Sequence, residues 1–226
     1  MSENRVTRVF RKASDRWDRG RVPPAFDEGI TWEKIQQQAN HIGARRRRVV
    51  HLEDSLLVEE TLALAEGDFV EFWTSSLSLT VPPDPVWTTH TFSIGDAEPV
   101  TYPCEDNSTI PRFALYPVVV KVPFEAGYIQ AITVLDDRTG EVEDDSHLVS
   151  VGWDEAVNGK WWRIDQYHDG ERRAAYWLDA QHRLQRSDWE GAVLVVMPSR
   201  DDALGDLADT LQPIFEKHKA DESHAP

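Results

Sequence analysis

The chain has 226 residues, of which 40% are hydrophobic and 10% aromatic, and its 24 basic and 40 acidic residues give a formal net charge of −16. This composition is too apolar for a largely disordered chain and suffices for one large domain or two small ones. The single cysteine, Cys104, excludes an intramolecular disulfide and a cysteine-based zinc site. No apolar run reaches the ~18 residues of a membrane-spanning helix, and no secretory signal is recognisable, so we expect a cytoplasmic protein.

Charge is distributed unevenly along the chain. Residues 1–50 contain 12 basic and 6 acidic groups, whereas residues 51–226 contain 12 basic and 34 acidic groups. No lysine or arginine occurs between Arg48 and Arg112, a stretch that holds 12 carboxylates. This asymmetry favours contact between the basic segment and an acidic partner, the acidic part of its own chain, or another copy.

The first 30 residues predict a basic arm. Phe10 and neighbouring apolar side chains at helical spacing indicate a weak amphipathic helix over residues 5–19, and Pro23 and Pro24 begin an extended linker. Arginines recur at short intervals along this helix, which favours contact with phosphates or carboxylates. The arm residues predicted to bind a partner are Arg8, Arg11, Lys12 and Trp17.

Two further helices are predicted ahead of the first strands. Thr31 and Gly43 are suitable N- and C-terminal caps for a helix over residues 31–43, and Gly67 follows a second helical segment over 56–65. After the first helix comes a run of four predicted partner-binding residues, Arg45, Arg46, Arg47 and Arg48. Two interpretations stay open for this run: a patch for nucleic acid or an acidic partner, or an exposed helix end whose dipole favours cations.

From residue 69 the pattern changes to strands. Residues 69–73, 76–81 and 86–94 are rich in aromatic and β-forming side chains, and residues 103–111 form a loop between two prolines. The predicted organisation is an arm over 1–30, a helical segment with a first β-section over 31–110, and a second section over 111–220. The last two sections form either two domains or one.

The second half of the chain predicts an antiparallel meander. Asn158-Gly159 and Asp169-Gly170 are typical hairpin dipeptides, and strands are expected over 113–122, 128–135, 148–153, 160–168, 172–178 and 192–197. Ser199 precedes a C-terminal helix with a regular apolar face, which Pro213 should bend. The predicted fold class is α+β, with N-terminal helices, a mostly antiparallel sheet or sandwich, and a C-terminal helix packed on the sheet.

One group of polar residues suggests catalysis. Asp165, His168 and Asp169 lie at the end of a predicted strand, and His182 follows the next strand. A histidine among carboxylates is able to act as a general base or metal ligand, although turn chemistry at Asp169-Gly170 explains the same residues. The sequence has no phosphate-binding loop, nucleophile elbow or zinc-protease signature, and we predict neither a cofactor nor a metal site.

These features favour a non-catalytic interaction or assembly protein over an enzyme. Its acidic β-rich body would carry a basic arm that docks on an acidic partner or on another copy, a design that fits a viral or mobile-element structural component. Nucleic-acid association through the Arg-rich region is the first alternative, and a hydrolase or nuclease-like enzyme centred on His168 is the second. No membrane partner is expected, and no small-molecule ligand is indicated.

Overall fold

The computed structural model of this protein describes residues 28–67, 69–80, 87–103, 109–137, 139–156 and 159–218. Thirteen strands in these ranges form a single sheet. They are β1 (Gly29–Gln37), β2 (Asn40–His51), β3 (Ser55–Glu66), β4 (Phe69–Thr80), β5 (Trp87–Ile94), β6 (Val100–Pro103), β7 (Thr109–Pro111), β8 (Ile129–Leu135), β9 (Val142–Ala156), β10 (Gly159–His168), β11 (Glu171–Leu178), β12 (Leu184–Trp189) and β13 (Ala192–Met197).

The sheet consists of two meanders joined through its middle. Its strand order is β6-β5-β4-β3-β2-β1-β13-β12-β11-β10-β9-β8-β7, so the first and last strands are neighbours. The β1–β13 pair and the pairs within each meander are antiparallel, whereas β7 pairs with β8 in parallel. Strands from the predicted sections 31–110 and 111–220 therefore share one sheet.

The two edges of this sheet have to approach each other. β6 and β7 lie at opposite ends of the strand order, yet only the five residues 104–108 join them along the chain. Such a connection spans at most ~22 Å. A flat sheet of thirteen strands would be ~58 Å wide at a strand spacing of ~4.8 Å. The sheet therefore curls until its two halves face one another, which gives it an inner and an outer face.

Buried contacts across the interior agree with this curling. One apolar cluster joins Leu56 and Leu77 of the first meander to Leu148 and Ile164 of the second. A second cluster contains Leu62, Trp73 and Phe92 of the first meander, together with Leu194 of β13. The inner faces of both halves thus form one continuous core.

Side chains connect the two edges where no strand ladder does. Nε1 of Trp87 on β5 donates to the carbonyl of Thr109 on β7 at 2.9 Å. The buried side chains of His90 and Asp137 lie in contact, with Nε2 of the imidazole 2.6 Å from Oδ1 of the carboxyl group. Oδ2 of Asp137 also accepts from the backbone amide of Phe113 at 3.0 Å. We refer to His90, Asp137 and the Phe113 amide as the edge clasp.

Three short helices complete the described structure. α1 (Leu115–Val119) is buried in the first apolar cluster between the two halves. α2 (Arg200–Leu204) and α3 (Ala208–Lys217) cover the outer face of the first meander. No helix among the described residues combines the length and apolar character required to cross a membrane.

The predicted N-terminal helices over residues 31–43 and 56–65 are wrong, and so is the α+β class that depends on them. These segments form β1, the start of β2, and β3 of a mostly β fold. The outer face of β3 is covered by α3, so Ala63 is as buried as Leu62. A strand that is covered on both faces loses its alternating pattern and resembles a buried helix. The predicted helix over residues 5–19 lies outside the described residues.

A third misassignment has the same cause. The predicted strand over residues 113–122 is a 3₁₀ turn (Arg112–Ala114) followed by α1. Val118, Val119 and Val120 are all completely or almost completely buried, so no polar position marks the helical period.

The antiparallel meander predicted for the second half is confirmed. Asp169-Gly170 forms the turn between β10 and β11, with both residues at positive φ. The C-terminal helix begins as predicted, because Ser199 accepts a hydrogen bond from the amide of Asp202 at 3.1 Å. The helical segment is interrupted at Gly205, whereas Pro213 lies within α3.

Candidate functional site

The arginine run Arg45–Arg48 lies in β2, where successive side chains point to opposite faces of the sheet. Arg45 and Arg47 lie on the inner face, and Arg46 and Arg48 lie on the outer face. One short sequence motif therefore takes part in two separate sets of contacts.

The inward arginines form a buried ion-pair network with two glutamates. Glu33 on β1 lies directly opposite Arg45, and Glu60 on β3 lies directly opposite Arg47. Arg45 donates to Glu33 through Nε and through Nη2, the latter at 2.8 Å, and its Nη1 lies 3.8 Å from Oε2 of Glu60. Nε of Arg47 donates to Oε1 of Glu60. The four side chains are almost completely buried, and their formal charges cancel.

Opposite charges keep this network ionised despite its burial. Burial alone would raise the pKa of Glu33, but attraction to Arg45 and Arg47 outweighs it and lowers that pKa below its ordinary value. Burial also opposes the charge of Arg45, but Glu33 and Glu60 raise the pKa of its guanidinium. Glu33 and Arg45 therefore both carry full charges near neutral pH.

The outward arginines bind other parts of the same chain. Nη2 of Arg46 donates to the carbonyl of His218 at 2.6 Å, at the C-terminal end of α3, where a cation is favourable. Nη1 of Arg48 donates to Oε2 of Glu59 on β3 at 3.2 Å. The expectation that this run is an exposed helix end is therefore wrong. Three of its four residues are buried, and Arg48 is half-buried.

The arm residues Arg8, Arg11, Lys12 and Trp17 lie outside the described residues, and so does Cys104. Their predicted roles stay predictions. The internal pairing of the run nevertheless reduces the positive charge that is left for an external partner. Residues 1–27 alone contain seven basic and four acidic groups.

A cavity of about 230 Å³ opens beside this network, at the end of the interior where β1 begins and β2 ends. Its apolar walls include Ile30, Val49, Leu184 and Val196. Its polar walls include Arg47, Tyr116 and Arg183. We refer to this space as the end cavity.

Arg47 connects the end cavity to the buried network. Its guanidinium lies over the ring of Tyr116, with Cζ 3.7 Å from the ring centre. Its Nε is bonded to Glu60, whereas its Nη2 is buried without a hydrogen-bond partner. Burial raises the pKa of Tyr116, so its phenol is neutral near pH 7. Arg47 is thus fixed beside the cavity with its charge paired to Glu60 and with one terminal nitrogen that has no hydrogen-bond partner.

A cluster of aromatic rings lies at the same end of the sheet. Phe124 stacks on His182 at 3.8 Å and on Trp162 at 5.0 Å between ring centres, and Trp153 meets both Phe124 and Trp162 edge-on. Nδ1 of His182 lies 3.0 Å from the carbonyl of Val120, and burial lowers the pKa of this histidine. His182 is therefore mainly neutral at pH 7 and packs as an aromatic ring.

The structure does not bring the predicted catalytic residues together. His168 and Asp169 lie at the turn before β11, whereas His182 lies in the turn after it. Eight strand residues separate the two turns, which corresponds to about 26 Å. One reacting atom or one metal ion cannot contact side chains at both ends of such a strand.

The remaining members of that group have local partners. Asp165 accepts two hydrogen bonds from Arg163, at 2.7 and 2.9 Å. His168 lies 3.2 Å from the hydroxyl of Ser146 and 3.5 Å from Asp169. Within the described residues, no group of three or more histidine, cysteine, aspartate or glutamate side chains is arranged to hold a metal ion.

Sequence reasoning missed Glu33, Glu60 and Tyr116 as members of a site. A weak signal exists for Glu60 and Arg47, which both lie four residues from the last pair before their connecting turn, His51–Leu56. The bulge after Ile35 removes this symmetry from Glu33 and Arg45. That symmetry becomes visible only when the segments are assigned as strands.

Comparison of this chain with protein-family models, with curated proteins and with solved structures found no match.

Proposed function

We propose that this protein is a non-catalytic binding protein that holds a small molecule in the end cavity. The observation that carries the proposal is the buried Nη2 of Arg47, which has no hydrogen-bond partner although Arg47 lines an open cavity. A buried donor without an acceptor costs about 1–3 kcal/mol. A bound molecule that supplies the acceptor would recover that cost, and this gives the cavity a reason to be occupied.

The walls of the end cavity favour binding over chemistry. Arg47 is held by Glu60 and Tyr116, so its position is fixed before a ligand arrives. Preorganised polar groups in an apolar recess are typical of ligand sites. The neutral phenol of Tyr116 and the permanently charged guanidiniums do not exchange protons readily near neutral pH.

Thermal unfolding of the full chain tests this proposal. Small carboxylates, the matching amides and the matching alcohols would be added separately, and the unfolding midpoint would be measured for each. A ligand present at about 100 times its dissociation constant stabilises the folded state by about 2.7 kcal/mol. For a protein of this size, that corresponds to a rise of roughly 5–10 °C. A panel in which no compound shifts the midpoint contradicts the proposal.

A matched pair of variants localises the binding. Thr31 lines the cavity and lies directly opposite Arg47, so its side chain is on the inner face and Thr31→Trp should fill the space and abolish the shift. Ile94 is 37% exposed on β5 and is not among the cavity residues, so Ile94→Trp should retain the shift. An equal shift in both variants would place the bound compound elsewhere.

We also propose, as a second function, that the arm predicted over residues 1–30 docks on an acidic partner or another copy. The charge asymmetry of the chain supports this proposal, because the described body is strongly acidic once the Arg45–Arg48 run is paired internally. It is independent of the end cavity. A cytoplasmic location is a further proposal.

Light scattering after size exclusion tests the arm on the full chain. If the arm mediates self-association, the mass should fall when Arg8, Arg11 and Lys12 are all replaced by glutamine. The matched control replaces the basic residues Lys160, Arg172 and Arg173 of the body. An unchanged mass in the arm variant contradicts self-assembly, and nucleic acid that co-elutes only with an intact arm would favour the nucleic-acid alternative.

A further inference from the structure

The residues that line the end cavity restrict the chemical class of its ligand. Its two arginines, Arg47 and Arg183, have donors only, so a ligand has to present acceptors to them. Arg47 is buried, whereas Arg183 is exposed at the opening of the cavity. The fork of a guanidinium is best matched by a planar group with two oxygens.

Charge balance limits the ligand to a low negative charge. Within the buried network, Glu33 and Glu60 already neutralise Arg45 and Arg47. Two further charged residues line the cavity, the cation Arg183 and the anion Glu28. The whole chain carries −16, so a multiply charged anion would be repelled more strongly than a monoanion.

The remaining walls specify an apolar body. Val49 and Leu184 are buried, and Val196 is half-buried. Apolar surface buried against such walls contributes about 25 cal/mol per Å². A volume of about 230 Å³ restricts the ligand to a small molecule.

We infer that the end cavity takes a small monocarboxylate with an apolar body, its carboxylate directed to Arg47 and Arg183 and its body against Val49, Leu184 and Val196. This inference rests on the proposed binding function and specifies its ligand class. It requires no covalent step.

Calorimetric titration of the full chain tests the carboxylate assignment separately from the proposed binding function. The probes are hexanoate, its neutral analogue hexanamide, and inorganic phosphate. We expect hexanoate to bind about tenfold more tightly than hexanamide, because charge-assisted bonds to arginine are stronger than neutral ones. Phosphate should give no measurable heat of binding.

Each alternative result has a defined meaning. Equal affinity for hexanoate and hexanamide, with both lost in Thr31→Trp, would overturn the carboxylate assignment and leave the binding function standing. Phosphate that binds as tightly as hexanoate would also overturn it, in favour of a general anion site. If none of the three probes binds, the carboxylate assignment fails, and the broader thermal panel then decides the binding function.

Substitutions of the two arginines test which groups bind the carboxylate. Arg183→Gln should weaken hexanoate severalfold and leave hexanamide unchanged, whereas the exposed-strand control Arg173→Gln should change neither. Arg47→Met alone would leave Glu60 buried without its partner and so endangers folding. The double variant Arg47→Gln with Glu60→Gln removes both charges and should abolish the preference for hexanoate over hexanamide. Retention of the preference in both the Arg183 and the double variant overturns the inference.

Discussion

The two meanders of the sheet differ in the kinds of side chain that they place on their inner and outer faces. In β1–β6, the inner face contains buried charges and the outer face is covered by α2 and α3. In β8–β13, the inner face is mainly apolar, and ion pairs such as Arg163–Asp165 lie on the partly solvated side. The comparison shows that the usual alternation of polar and apolar residues does not identify a strand when polar residues face inward and apolar residues face outward.

The largest expected effect separates these two kinds of ion pair. Arg45→Met leaves Glu33 buried without its partner and should lower the free energy of unfolding by about 3–5 kcal/mol. Arg173→Met removes the partner of Glu190 in the second meander, a pair whose side chains are 37% and 66% exposed, and should cost about 1 kcal/mol or less. Urea unfolding of the two variants measures the difference. Equal losses would mean that burial does not distinguish the two meanders.

The same network should give the protein a specific sensitivity to acid. The pKa of Glu33 is lowered in the folded state, so its contribution to stability is complete above the unfolded-state pKa of about 4.3. It is lost as the pH falls through the folded-state pKa. Urea unfolding below about pH 4.3 should therefore show a steeper loss of stability in the wild type than in Glu33→Gln. Parallel curves for the two proteins would contradict the lowered pKa.

Breaking the edge clasp should have the next largest effect, because the clasp connects the two edges of the sheet, between which the described strands form no ladder. Asp137→Ala removes the charge beside His90 and the acceptor of the Phe113 amide, both buried. We expect a loss of about 3 kcal/mol. The exposed pair formed by Lys217 and Asp96 provides a control, since Asp96→Ala should leave the urea midpoint unchanged. A similar result for both aspartates would show that the edges close without the clasp.

A close backbone contact in the first meander gives a somewhat smaller effect. A Cβ atom at Gly43 would lie 2.2 Å from the carbonyl oxygen of Ala63, so Gly43→Ala forces β2 and β3 apart. We expect a loss of about 2–3 kcal/mol. Gly140→Ala tests the alternative of backbone strain alone, because Gly140 has a φ of +73° and open space around it. Its expected cost is about 1 kcal/mol.

The sequence predicts β4 and β5 of the first meander and β8, β10, β11 and β13 of the second, but it misses β1, β2, β3 and β12 as strands. Asp169-Gly170 combines turn chemistry with flanking alternation, and β13 matches its predicted range of 192–197. In the first meander, Glu33 and Arg45 point inward, which contradicts the usual rule that charge faces water. Their burial is understandable only with the cross-strand partners, and those depend on the curled sheet.

The candidate site was even less accessible to sequence reasoning. The Arg45–Arg48 run is conspicuous in the sequence, but only its assignment to a strand shows which two arginines face the interior. The end cavity gathers residues from β1, β2, β12, β13 and α1. Tyr116 belongs to a segment predicted as a strand and observed as a helix, so no local pattern placed it beside Arg47.

The smallest predicted effect concerns two turns of similar geometry. Gln38 and Ala39, between β1 and β2, have φ angles of 49° and 69°, close to those of Asp169 and Gly170. Positive φ at both positions is typical of a type I′ turn, which favours Asn-Gly or Asp-Gly. Ala39 therefore carries a steric penalty that Gly170 avoids. The absence of a typical turn dipeptide at residues 38–39 also explains why the sequence does not predict this hairpin.

Exchanging the residues of these turns tests that explanation. Ala39→Gly should raise the free energy of unfolding by about 1 kcal/mol, because glycine adopts positive φ without strain. Gly170→Ala should lower it by a similar amount. Urea unfolding of both variants, with unchanged dependence on denaturant, measures the two shifts. If both substitutions shift stability in the same direction, turn strain does not explain the difference between the hairpins, and the packing around each turn has to account for it instead.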